Sequence, residues 1–262
     1  MVMMDIKDLK FIYSKKSVLD GVTFEIKQGE ILGILGLNGC GKTTLLKNLN
    51  KNLEPDSGVI MLGDDDLSEM SKRAIAQQVA VVPQGNEIKF AFTVNDIVSM
   101  GRIPFLSTFS GESSDDLKII DDAIAMTGLE EYRDRYINTM SGGERQRVII
   151  ARALAQTPKI ILMDEPTLHL DINTQFEVLD LVYKLSREKG LTVVIVSHDL
   201  PLVARYCDRI IMLKDKKIFA MGRPEDILTT ENIAEVFKVD GELSTDSKTG
   251  RRTVILHGSI QQ

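Results

Sequence analysis

Four short apolar runs punctuate the chain, and each stops at a polar or glycine-rich group. Ile31–Leu35 ends at Gly36, Val79–Val82 at Pro83-Gln84, 160–163 at Asp164-Glu165, and 193–196 at Ser197-His198. Uninterrupted runs of this length read as strands buried on both faces, as in a mostly parallel sheet. Such sheets take ligands beyond the carboxyl ends of their strands, so the four polar groups are expected to converge on one site. Between the runs the period becomes helical. Helices are predicted over 44–50, over 115–127 with Leu117, Ile120, Ala123 and Ile124 on one face, and over 144–155, stopped near Pro158. A further one covers 173–189, with Phe176, Leu179 and Tyr183 at helical spacing. From 85 to 157 there is little strand signal beyond the first residues. That segment is expected to be a helical insertion into an α/β core made of 1–84 and 158–240. Beyond Val239 the pattern turns polar. Leu243-Ser244 and 253–256 predict a hairpin around Lys248-Thr249-Gly250, in a C-terminal extension over 241–262.

The loop after the first run is Gly36-Leu37-Asn38-Gly39-Cys40-Gly41-Lys42-Thr43, a full G-x-x-x-x-G-K-[ST] match set between a strand and a helix. Its glycines let backbone N–H groups approach phosphate oxygens, and the helix start adds a positive end. Gly36, Asn38, Gly39, Cys40, Gly41, Lys42, Thr43 and Thr44 are the expected ATP phosphate ligands. Lys42 would reach the β- and γ-phosphates, and the Thr43 hydroxyl would ligate Mg²⁺. At the third strand end, Asp164 and Glu165 are adjacent, and adjacent strand residues point opposite ways. Asp164 is expected to hold Mg²⁺, and Glu165 to orient or deprotonate the attacking water. His198, ending the fourth run, is a candidate γ-phosphate contact. Ser141-Gly142-Gly143-Glu144 opens the 144–155 helix with a serine cap and two small residues. This reads either as an ordinary helix start or as a second anion site, and a chain that already has one phosphate cradle gives no local reason for a second.

Composition narrows the classes. The 262 residues are 43% hydrophobic and 27% charged, and the net charge is −6. An acidic balance is a poor footprint for nucleic acid. No run reaches the roughly 18 apolar residues of a membrane helix, and Asp5, Lys7 and Asp8 interrupt the N-terminus where a signal peptide would be apolar. A cytoplasmic location follows as the expectation, at a membrane only through a partner. Cys40 and Cys207 provide no disulfide framework and read as small packed side chains in a reducing compartment.

Taken together, these residues resemble an ABC-type ATPase cassette. The phosphate loop matches the Walker A motif and Ile160–Asp164 the Walker B motif. Met140-Ser141-Gly142-Gly143-Glu144 resembles the family signature, with Met140 for the usual leucine and Glu144 for the commoner glutamine. Gln84 sits where the Q-loop glutamine sits, Leu168-His169-Leu170-Asp171 resembles the D-loop, His198 the switch histidine, and Tyr13 the aromatic that stacks on adenine. The resemblance covers about residues 3–240. It implies a P-loop NTPase fold over 1–240 with a RecA-like core, an N-terminal antiparallel β-subdomain and a helical subdomain. It further implies that Glu165, His198 and Gln84 serve catalysis, that Thr43, Gln84 and Asp164 hold Mg²⁺, and that Asp171 belongs to the D-loop. It also gives the second anion site a use. In head-to-tail dimers of such cassettes, Ser141 to Glu144 would meet the ATP held by the other subunit. The working unit would then be a homodimer.

The segment Thr93-Val94-Asn95-Asp96-Ile97-Val98 followed by Met100-Gly101-Arg102-Ile103-Pro104 resembles ATPases of iron-siderophore, haem and vitamin B12 importers, as do Gly222-Arg223-Pro224, 232–237 and the 246–251 tail. The expected function is therefore ATP-driven import of an iron chelate, haem or corrinoid through a separate membrane permease served by an external solute-binding protein. An importer for another solute and an exporter remain open. A DNA-repair or translation ATPase fits less well, for lack of long coiled-coil insertions or a second cassette. The regulatory domain that some importer ATPases carry after the cassette is not expected here.

Overall fold

The computed structural model describes residues 1–85, 90–107 and 111–260. Two sheets share one core. In the first, β1 (Val2–Tyr13) and β2 (Lys16–Lys27) form a long antiparallel pair. Their two-residue turn, Ser14-Lys15, is left-handed at both positions, with φ 42° and 79°, matching the twist of the strands it joins. β4 (Ser57–Leu62) and β5 (Asp65–Asp66) extend this sheet in the order β2-β1-β4-β5. The second sheet runs β10-β9-β3-β8-β7-β6. Its parallel strands are β9 (Arg209–Lys214), β3 (Ile31–Leu35), β8 (Thr192–Ser197), β7 (Ile160–Asp164) and β6 (Val79–Val82), with β10 (Lys217–Gly222) antiparallel at the edge.

β3, β7 and β8 are buried along their whole length, because both faces of their sheet are covered. On one face, Leu32, Ile34, Leu162 and Val194 pack with α1 (Lys42–Leu49) and the inner side of the antiparallel sheet. On the other, Ile31, Leu35, Ile161 and Val193 pack with α5 (Gly142–Ala155), α6 (Ile172–Lys189) and α7 (Leu200–Tyr206). The remaining helices are α2 (Lys72–Ala76), α3 (Val94–Ser99), α4 (Ser114–Met126), α8 (Pro224–Ile227) and α9 (Thr230–Phe237). A closing hairpin, β11 (Val239–Thr245) and β12 (Arg252–Ser259), begins two residues before the expected border at 241. Between β6 and β7 the described residues are helical or irregular, apart from one bridge between Thr93 and Tyr136.

Two predicted helix faces are corrected. Leu117 is 51% exposed, and the inner face of α4 is Asp116, Ile120, Ala123 and Ile124. Phe176 also faces outward, and α6 buries Val178, Leu179, Val182 and Leu185. Asp116 takes an inner position because it has partners there. Its carboxylate accepts from Arg102 Nε at 2.8 Å and from the Ser113 backbone N–H and hydroxyl at 2.9 and 2.7 Å. The Ser113 bonds, reinforced by Arg102, hold the Asp116 carboxyl down at about 2. A depressed acid stabilises the fold above its unfolded pKa and loses that contribution as pH falls through the folded value. Wild type should therefore be more urea-resistant than Asp116→Asn near neutrality. The gap should close as pH falls from about 4 to about 2.

Candidate nucleotide-binding site

β3 delivers the chain into the 36–41 loop, which turns directly into α1. The loop fits closely against its surroundings. A Cβ on Gly36 would lie 2.5 Å from the Leu213 carbonyl, and Gly41, at φ 108°, would bring one 3.0 Å from the Val18 carbonyl. Gly41 caps α1 without a side-chain hydrogen bond. The amides of the first turn are thus left for an external anion. The buried Lys42 ammonium donates to the carbonyls of Gly36 at 2.7 Å and Leu37 at 3.2 Å, so its charge is held over the loop.

A cleft of about 400 Å³ opens on this loop. Its walls include Tyr13, Asn38, Gly39, Gly41, Lys42, Thr43, Thr44, Gln84 and Glu165, together with Val18, which the sequence did not single out. Tyr13 meets Phe11 edge-on at 4.7 Å and remains 43% exposed, leaving ring surface for a stacked base. Gly36 and Cys40 contribute no wall. Gly36 acts through its carbonyl. Cys40 lines a separate cleft that also includes Leu213 and Val236, and its N–H donates to the Leu37 carbonyl at 3.3 Å. Burial pushes the Cys40 thiol up, which suits a packed side chain better than a reactive one.

The two acids at the end of β7 diverge. The Thr43 hydroxyl donates to Asp164 at 3.2 Å. Burial raises the Asp164 carboxyl above its ordinary range; the Thr43 bond opposes this and the Glu165 charge adds to it. Glu165 lies beyond the strand in a left-handed conformation, φ 48°, so its direction comes from a strained turn rather than from strand alternation. Its carboxylate is buried, and His198 Nδ1 lies 2.9 Å from it. A carboxylate in its ionised form only accepts, so the donor in that form of the pair is the tautomer with its proton on Nδ1. Gln84 and Glu165 also line a second cleft with Gly142, Arg145, Leu168 and His169.

Ser141 to Glu144 do not reach the phosphate-loop cleft of their own chain. Ser141 caps α5 in a reciprocal box. Its hydroxyl accepts from the Glu144 N–H at 3.3 Å, and the Glu144 carboxylate accepts from the Ser141 N–H at 2.7 Å. Glu144 is therefore occupied within its own chain, and the Gly142 and Gly143 amides are the orphans of this terminus. A Cβ on Gly143 would overlap the Thr174 methyl, so α5 starts against the first turn of α6. Asp171 caps that turn, accepting from the Thr174 N–H at 3.0 Å and hydroxyl at 2.7 Å.

A phosphate loop, a hydroxyl–carboxylate pair beside it and a buried carboxylate on a histidine define a P-loop ATPase. The chain belongs to the ABC transporter family, whose profile matches residues 19–168. It is 39% identical to the petrobactin import ATP-binding protein FpuD of Bacillus anthracis, across 97% of this chain and 93% of that one. Among solved structures it is similar to a chain of an inward-facing ABC transporter assigned to the metal-chelate type, with TM-score 0.87 and 30% identity over 98% of both chains. It is also similar to the dimeric ATP-binding cassette MJ0796 bound to ADP and Pi, with TM-score 0.73 and 30% identity over 85% of this chain and 99% of that one. The protein binds and hydrolyses ATP as an ATPase of this family. No helix among the described residues is long and apolar enough to cross a membrane.

Proposed function

We propose that this chain is the ATPase subunit of an importer that takes up an iron chelate, with haem or a corrinoid as the alternative cargo, and that it works as a homodimer on the inner face of the cell membrane. The observation that carries the dimer is the division of the site. The phosphate loop lines one cleft, and Gly142 and Gly143, whose amides are left unpaired at the start of α5, are not among its walls. Each ATP would be held by Lys42 and its loop in one subunit, and capped by Ser141 and Gly143 of the other. The import direction and the cargo class rest on the likeness to the petrobactin relative and the metal-chelate transporter. The permease would be a separate membrane protein, fed from outside by a solute-binding protein. The 1–84 and 158–240 core and the 85–157 helical part would form the cassette, with 241–262 as an extension.

Tyr13 would stack on adenine, and the loop amides with Thr44 would hold the phosphates. Thr43, Asp164 and Gln84 present only oxygen donors and the amide of Gln84, a set that suits a hard cation. Among the described residues no group of three or more His, Cys, Asp or Glu could hold a metal ion by itself, so the nucleotide's phosphates would complete a Mg²⁺ site. Bound there, Mg²⁺ would offset phosphate charge. Glu165 would take a proton from the attacking water, and His198 would fix the carboxylate and approach the γ-phosphate. Gln84, shared by both clefts, would report the state of the site to the permease. Asp171 would stand near the two-fold axis.

The test is co-purification of the chain with its membrane subunit, followed by reconstitution in vesicles. ATP should drive an iron chelate toward the side bearing the ATPase. Transport in the opposite sense, or no membrane partner at all, would overturn the reading.

A further inference from the structure

The 246–251 tail turn has no part in the nucleotide site, yet it is built with care. The Asp246 carboxylate accepts from the N–H groups of Lys248 and Thr249 at 2.8 and 3.1 Å. The Asp246 N–H donates to the Arg251 carbonyl at 2.8 Å, and Gly250, at φ 65°, donates back to the Asp246 carbonyl at 2.8 Å. The product of this turn is a fixed direction for Arg251. Its guanidinium lies 4.9 Å from the Tyr183 ring centre and 5.3 Å from that of Tyr206, and donates to Asp180 at 3.2 Å. The Tyr206 hydroxyl donates to the same carboxylate at 2.9 Å.

Asp180 and Tyr183 belong to α6, and Tyr206 to α7. One arginine thus spans two helices. α7 is capped by Asp199, the residue after His198, and α6 by Asp171. α7 has seven residues and depends on its neighbours for its place. Its inner side is pressed onto β3, where a Cβ on Gly33 would lie 2.6 Å from Val203 and 3.0 Å from the Cys207 sulfur. β12 packs across it as well, burying Val254.

We infer that the C-terminal hairpin is a clasp on α6 and α7, and that Arg251 is a positioning residue for His198, acting through α7. The inference rests on the catalytic reading of His198 given above. Two aromatic faces and a carboxylate are weak partners singly. Together they are expected to hold α7 against local opening by about tenfold.

The experiment uses the full chain. Hydrogen exchange and steady-state ATPase are measured on wild type, Arg251→Ala, Arg251→Lys and His198→Ala. In Arg251→Ala, amides of 200–206 should exchange about tenfold faster, and kcat should fall about fivefold while KM for ATP stays within about twofold, since the phosphate loop is untouched. Arg251→Lys keeps a cation beside both rings and should restore most of both. Faster exchange confined to 239–260, or faster exchange in α7 with kcat unchanged, would overturn the clasp as a positioning device. Full turnover in His198→Ala would sink the catalytic reading of His198 alone, and exchange in α7 would then decide the clasp by itself.

Discussion

Glu165→Gln is expected to lower ATP turnover by about a thousandfold while leaving ATP binding intact, the scale of a lost general base. The substitution keeps the shape of the side chain and removes its ability to take a proton. None of the contacts around Lys42 or between Thr43 and Asp164 involves Glu165, so affinity should hold. A glutamine can still accept from His198 Nδ1 through its carbonyl, which separates loss of basicity from loss of geometry. His198→Ala removes the orienting bond and leaves the base. It should cost less than Glu165→Gln if proton transfer to Glu165 is the main contribution. A second consequence follows from the divided site. In the proposed homodimer, ATP that is not hydrolysed would continue to bridge two chains, so Glu165→Gln should accumulate as an ATP-dependent dimer in gel filtration. Single-turnover hydrolysis together with nucleotide-binding titration measures the first effect. Wild-type turnover in Glu165→Gln would remove Glu165 from the role of base.

The strands that carry the site were legible because burial on both faces leaves no polar position in them. β3, β7 and β8 read as plain apolar runs. β1 and β2 did not. One side of each faces solvent, Asp5, Lys7, Asp8 and Lys10 interrupt the apolar positions, and bulges break the alternation between Ile6 and Leu9 and again before Phe11. Strand alternation predicts opposite directions for Asp164 and Glu165, but a left-handed residue at 165, beyond the strand, is what separates them. Glu144 shows a different gap. A helix-opening serine followed three residues later by glutamate is a capping-box signal, yet the resemblance drew attention to the nucleotide of another subunit instead. The partners of His198 and Arg251 are 33 and 71 residues away, and no local pattern announces either contact.

Arg102 was visible only as part of a segment resembling a subfamily, and its contacts give a physical reason for it. The side chain is 7% exposed and its partner Asp116 12%. Besides that pair, Arg102 donates to the Ala155 carbonyl at 2.8 Å, satisfying an orphan acceptor at the C-terminus of α5, and stacks 3.9 Å from the Phe105 ring centre. Gly101 makes this approach possible, since a Cβ there would overlap the Arg152 carbonyl. Arg102→Ala strands a buried carboxylate and a helix-end carbonyl together. The expected loss is about 3–5 kcal/mol, or a melting point lower by about 10 °C for a chain of this size. Replacing both charges at once, Arg102→Met with Asp116→Leu, leaves no ion unpaired and should recover most of that loss. Urea unfolding of Arg102→Met, Asp116→Leu and the double variant measures the coupling. Additive losses would mean that Arg102 acts mainly through Ala155 and Phe105. A strongly non-additive cycle would place the energy in the ion pair. The consequence extends to the site. Arg102 joins the segment that follows Gln84 to the far end of the helix that Ser141 opens. Loosening it should therefore weaken the fixed relation between the Gln84 loop and the Gly142–Gly143 amides, and ATPase activity should decline at temperatures below the melting transition.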